Sequence, residues 1–184
     1  SKIEVVHNGI DECDYANIPD KLTELKKSGQ KIVLFAGRIT IQKGPEYFIR
    51  AAKRVLEVNP NVLFLVAGSG DMERQMMLEA AYLGISDRVL FVGFLRGDDL
   101  NAVYKIADLF VMPSVSEPFG ITPLESIISG APVLISKQSG VAEVLTHALK
   151  TDFWDIEDMA NKILGVMSHR SLKDTLWGNS REEV

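Results

Sequence analysis

The hydrophobic positions of this 184-residue chain follow two alternating rhythms. Near-continuous apolar runs stand at residues 32–36, 62–67, 89–92, 109–112 and 133–135, with a weaker one at 148–150. Unbroken apolarity over so few residues suits strands buried on both faces of a parallel sheet. Between the runs the apolar residues spread to helical spacing. Residues 45–58 place Phe48, Ala51, Ala52, Val55 and Leu56 on one face. Pro45 suits the first helical position there, and Asn59-Pro60 is the stop. Residues 71–83 and 98–107 predict helices opened by Asp71 and Asp98, whose carboxylates can cap free amides. A fourth helix is expected over 122–130 and a short fifth over 141–145. Two terminal helices follow at 155–167 and 172–182, with Trp154 and Trp177 as packing anchors. Strands separated by helices predict βαβ units. Right-handed crossovers then give an α/β fold, a doubly wound parallel sheet of about six strands with flanking helices.

Composition narrows the options. With 46% hydrophobic residues the chain can bury one real core. Twenty Lys and Arg against 25 Asp and Glu leave a net charge of −5, which argues against a nucleic-acid or anionic-membrane binder. Any phosphate must therefore be held by a local site. No run approaches the roughly 18 apolar residues of a membrane span, so any membrane contact would have to come from a partner domain. Cys13 is the one cysteine, which excludes an intramolecular disulfide and favours a reducing, cytoplasmic setting. His7, His147 and His169 show no metal-ligand spacing. The chain starts inside a strand-like run and turns at Asn8-Gly9, the pattern of a piece of a longer polypeptide. Residues 1–31 read as a crossover segment and 32–184 as the folded domain.

In an open parallel sheet, ligands bind beyond the carboxyl ends of the strands. Four consecutive strand ends here carry glycine-rich or Pro/Gly-rich loops, at 37–44, 68–71, 93–97 and 113–120. The first, Gly37 to Gly44, holds Arg38 and Lys43 and no carboxylate, an anion site in outline; its plainer reading is a solvated loop. It is not a Walker loop, because Lys43 precedes Gly44 and no hydroxyl follows. Gly68-Ser69-Gly70 begins like a dinucleotide fingerprint, but the third glycine position holds Glu73. A tight turn capped by Asp71 explains Gly68 and Gly70 as well as close ligand approach does. In the segment 117–125, Thr122 and Glu125 form a capping box, with Pro123 at the first helical position. The box leaves Glu117 and Gly120 unexplained. A helix start beside Gly120 is a second anion site, and a nearby carboxylate can accept two hydrogen bonds from a sugar or ribose diol. Cations, amides and paired carboxylates together describe a sugar nucleotide.

Glu117 and Glu125, in the order Glu-Pro-Phe-Gly-x-x-x-x-Glu, resemble the paired-glutamate signature of retaining glycosyltransferases of the GT-B fold, group 1 family, related to glycogen and sucrose synthases. The Gly-Arg-x-x-x-x-Lys-Gly stretch at 37–44 is similar to that family's donor phosphate motif. His7-Asn8-Gly9-Ile10-Asp11, Gly68-Ser69-Gly70 and Gly130-Ala131-Pro132-Val133 add to the likeness. The resemblance implies a Rossmann-like, C-terminal donor-binding half, with the acceptor-binding N-terminal domain lying outside this chain. It implies that Arg38 and Lys43 hold the donor diphosphate, that Glu125 binds the ribose hydroxyls and that Glu117 meets the transferred sugar. Gly37, Gly68, Gly70, Gly120, Ile121 and Thr122 would line the donor, with Phe94 and Leu95 flanking the base. The expected donor is a UDP-sugar, with ADP- or GDP-sugars as alternatives, and the acceptor a saccharide or other hydroxyl. Neither metal nor cofactor is implied, because fixed cations and amides can stabilise the leaving diphosphate. The chain departs from the family at Ser139-Gly140, where a Gly-Gly pair is common, and in the terse segment 146–151. Three other readings stand beside this one: a sugar-nucleotide epimerase of the same architecture, a glycosidase using the two glutamates, and a non-catalytic nucleotide-binding module.

Overall fold

The computed structural model describes Glu24 and residues 29–184. The His7 to Asp11 motif, Cys13 and most of the crossover segment lie outside the described residues.

Six parallel strands form one sheet: β1 (Lys31–Ala36), β2 (Val62–Ala67), β3 (Val89–Gly93), β4 (Leu109–Met112), β5 (Val133–Ser136) and β6 (Leu149–Thr151). Their spatial order is β3-β2-β1-β4-β5-β6, so chain progress reverses between β1 and β4. Such a reversal opens a crevice between the loops that leave the two central strands in opposite directions. The helices are α1 (Pro45–Val58), α2 (Glu73–Tyr82), α3 (Gly97–Ile106), α4 (Thr122–Ile128), α5 (Ile156–Ser168) and α6 (Arg170–Arg181). Because strand side chains alternate between faces, the continuous apolar runs feed two cores at once. Val33, Phe35, Phe64, Val66 and Val111 pack with α1, α2 and α5. Ile32, Leu34, Leu65, Phe110 and Ile135 pack with α3 and α4 on the other face.

Several local expectations give way to tertiary context. Asp71 and Asp98 cap nothing: α2 starts after Met72 and α3 after Arg96, both without a side-chain cap. Asp155 does cap, accepting the Asp158 N–H at 2.9 Å. The fourth helix stops at Ile128, and the expected fifth is a 3-10 turn, Gly140–Glu143. β3 lies at the sheet edge, so Val89 alone in it is fully buried. Trp177 is an anchor, donating its indole N–H to the Ile127 carbonyl at 2.7 Å. Trp154 is not: it remains 57% exposed, edge-on to Phe153.

Candidate active site

The rim at the carboxyl ends of the strands is joined loop to loop by main-chain hydrogen bonds. Starting at the sheet edge, Gly68 N–H donates to the Gly93 carbonyl at 2.7 Å, Gly37 N–H to Ala67 at 2.9 Å and Ile39 N–H to Ser69 at 3.0 Å. Across the crevice, Val115 N–H donates to Gln42 at 2.9 Å. Gly140 N–H then donates to Glu117 at 3.0 Å and Val141 N–H to Phe119 at 2.8 Å. The glycines make this joining possible. A Cβ on Gly68 would lie 1.8 Å from the Gly37 carbonyl oxygen, and one on Gly44 would lie 2.2 Å from that of Pro113. Gly44 also takes a φ of +63°, which closes the 3-10 turn Ile41–Lys43 and starts α1. Gly70 lies against the Ile39 backbone in the same way. Loop-to-loop packing therefore accounts for Gly68 and Gly70 without a ligand.

On this rim the sequence-predicted residues differ in their partners. Arg38 is exposed and makes no ion pair among the described residues, so its guanidinium is available to an incoming anion. Lys43, on the loop after β1, pairs with the carboxylate of Glu117, on the loop after β4, although 74 positions separate them. This pair bridges the crevice with both side chains largely covered, at 22% and 12% exposure. The amides of Gly120 and Ile121 carry no hydrogen bond among the described residues, whereas the Ile121 carbonyl accepts from Leu124 and Glu125. Of the two residues, Ile121 is exposed and Gly120 is buried; amides at a helix start that have no protein acceptor can serve an anion that reaches them.

The capping box is absent. Ile121 is the N-cap residue of α4 and no side chain caps it. The Thr122 hydroxyl points to the Met112 sulfur at 3.8 Å. Glu125 instead accepts a hydrogen bond from the hydroxyl of Tyr104, on α3, at 3.0 Å. Sequence reasoning passed over Tyr104, but a signal was present: a tyrosine on an apolar helix face needs a partner for its hydroxyl once the ring is buried. Burial, followed by the charge and hydrogen bond of Glu125, pushes the Tyr104 hydroxyl well above the ordinary tyrosine range. It therefore stays a donor. Phe94 is 59% exposed beyond β3, with the Arg96 guanidinium 4.8 Å from its ring centre, while Leu95 packs partly into the core.

An open cleft of about 510 Å³ lies elsewhere, between α1 and α5. Its cations Arg50, Lys53 and Arg54 are paired with Glu79, Glu57 and Glu157, so it offers no unneutralised charge comparable to Arg38. Among the described residues no group of three or more His, Cys, Asp or Glu side chains converges as metal ligands. No helix among them is long and apolar enough to cross a membrane.

Comparison with known proteins places the fold and the family. Residues 18–183 match the family model for glycosyl transferases group 1. An uncharacterized glycosyltransferase of Methanocaldococcus jannaschii is 35% identical over all of this chain and 49% of its own length. The crystal structure of the C-terminal domain of a group 1 glycosyl transferase from Francisella tularensis superposes with a TM-score of 0.83 at 21% identity, covering 96% of both chains. An Anabaena protein solved with UDP and glucose superposes with a TM-score of 0.84 at 23% identity, covering 97% of this chain and 51% of its own. The chain spans about half the length of the curated relatives it matches. The fold is that of a GT-B C-terminal domain, and the chain belongs to the group 1 glycosyl transferases.

Proposed function

We propose that this chain is the donor-binding half of a retaining, metal-independent hexosyltransferase, taking a nucleotide-diphosphate sugar, preferably a UDP-sugar, as substrate. The acceptor, a saccharide or other hydroxyl compound, is held by a separate N-terminal domain, and the whole enzyme works in the cytoplasm. One observation carries the reading. Arg38, the Lys43–Glu117 pair and the amides of Gly120 and Ile121 belong to the loops after β1 and β4, which border the crevice, and Glu125 stands on α4, the helix that the second loop leads into. The Anabaena protein of the same fold, solved in complex with UDP-glucose, supports the choice of base.

In this reading the bond from the anomeric carbon to the diphosphate oxygen breaks with its electron pair going to the phosphate. Arg38, Lys43 and the two amides meet the charge that grows there, and fixed donors of this kind stabilise a transition state more than a ground state. The acceptor oxygen bonds to the anomeric carbon on the face the diphosphate leaves, and its proton passes to a phosphate oxygen. Lys43 turns from Glu117 to the diphosphate, which frees the Glu117 carboxylate for the hydroxyls of the sugar. Glu125 accepts from the ribose, and Phe94 and Leu95 flank the base.

Calorimetric titration of the chain with UDP, GDP and ADP tests the reading. UDP should bind most tightly, and Arg38→Ala and Glu125→Ala should each weaken it. No heat of binding at millimolar nucleotide overturns it. The chain by itself should transfer no sugar, and measurable transfer would contradict the division of labour between two domains.

A further inference from the structure

We propose that Tyr104 is a positioning residue for nucleoside recognition, its hydroxyl holding the Glu125 carboxylate at the orientation the ribose diol requires; this rests on the reading of Glu125 as the ribose ligand. The two glutamates of the rim are held in opposite ways. Glu117 is neutralised by Lys43. Glu125 is only partly buried and has no cation partner among the described residues; its Oε2 accepts from the Tyr104 hydroxyl at 3.0 Å. A neutral donor fixes the direction of a carboxylate without consuming its charge. A carboxylate offers about four lone-pair sites, so one bond from Tyr104 leaves enough acceptors for both hydroxyls of a ribose.

The donor is itself well fixed. Tyr104 is 0% exposed, and its ring stands edge-on to that of Phe110 with centroids 5.8 Å apart. Burial and the neighbouring carboxylate keep its hydroxyl protonated, so its role as a donor does not vary over the physiological pH range. If Glu125 swung away, the buried hydroxyl would lose its partner. That cost biases the carboxylate toward a single orientation before any ligand arrives. The helix adds a second constraint. α3 begins directly after Phe94, Leu95 and Arg96 and carries Tyr104 near its other end. One rigid element therefore supports both the segment assigned to the base and the group that aims the ribose acceptor.

Tyr104→Phe keeps the ring and deletes the hydroxyl. Titration with UDP and with its 2′,3′-dideoxy analogue separates aiming from general stability. In the unaltered chain UDP should bind better than the dideoxy compound. Tyr104→Phe should weaken UDP by about fivefold, the scale of one hydrogen bond, while the dideoxy compound changes by less than about twofold. In a Glu125→Ala background, Tyr104→Phe should have no further effect. Glu125→Asp, which pulls the carboxylate back by one methylene, should reduce the same preference and serves as the test if the phenylalanine variant does not fold. If Glu125→Ala leaves the preference for UDP intact, the ribose reading falls and this inference falls with it. If Glu125→Ala abolishes the preference but Tyr104→Phe or Glu125→Asp retains it in full, the positioning role alone is wrong. Equal weakening of both ligands by Tyr104→Phe also overturns it.

Discussion

The two ends of the sheet use similar residues to opposite effect. At the amino ends of the strands, Asp108 is 3% exposed and fully engaged. Its Oδ2 accepts the Ile32 N–H at 3.0 Å, its Oδ1 accepts from Lys173 at 2.7 Å, and Lys31 lies 3.9 Å away. Lys173 and Trp177 project from α6 onto this end, and Glu183 beyond it accepts from the Thr146 and His147 amides and pairs with the His147 ring. The charges there are spent on strapping α6 to the sheet. At the carboxyl ends Lys43 and Glu117 pair with each other across the crevice, while among the described residues Arg38 has no ion-pair partner and the Gly120 and Ile121 amides have no acceptor. The buried Asp108 is neutralised within the fold, whereas the exposed Arg38 keeps its charge unpaired among the described residues.

That contrast can be broken from either side. The largest effect should come from the amino end. Asp108→Ala removes a buried carboxylate from Lys173 and from the Ile32 amide, and should cost about 3–5 kcal/mol in urea denaturation, with nucleotide affinity unchanged wherever the fold is retained. Arg38→Ala should do the reverse. Loss of a charge-assisted bond of about 1.5–3 kcal/mol lowers UDP affinity roughly 10- to 100-fold by calorimetry, while stability moves by less than about 0.5 kcal/mol. An Arg38→Ala variant that melts early would erase the distinction between the ends. Trp177→Phe keeps one aromatic ring but removes the indole donor to the Ile127 carbonyl, and should cost at least about 1 kcal/mol for the lost hydrogen bond.

The smallest effect is a pH dependence of the strap. Burial by itself would raise the Glu183 carboxyl, but the His147 and Thr146 hydrogen bonds outweigh it and hold the group below the ordinary glutamate range. A carboxyl lowered in the folded state stabilises above its unfolded pKa, near about 4.3, and that contribution is lost as pH falls through the lower folded value. Denaturant midpoints of the unaltered chain and Glu183→Gln should therefore differ at neutral pH and converge under acid. A gap that persists through the acid range would remove Glu183 from the strap.

The runs that became β1, β2, β4 and β5 were legible because strands buried on both sides leave little room for polar residues, and the rule placing ligands at carboxyl ends located the rim. Residue identity also marked Arg38, Lys43, Glu117 and Glu125 as candidates. Their partners were not legible. Thr122 and Glu125 satisfy a capping pattern four residues long, yet a tyrosine 21 positions away claims the carboxylate. Asp71 and Asp98 fit the cap position by the same local logic, and neither caps its helix in the folded chain. The Lys43–Glu117 pair joins loops that meet only when β1 and β4 lie side by side. Local patterns record what a residue can do, and the sheet order decides which of those options is taken.

The rim loops are tied to one another through peptide groups, from Gly93 and Gly68 at one edge to Glu117 and Gly140 at the other. Their placement therefore depends little on the outward-facing side chains at 38, 94, 96 and 121. Those positions can be exchanged without redrawing the loops that present them. A scaffold of this kind is evolvable: its exposed side chains can change one at a time, each change starting from a rim that keeps its shape.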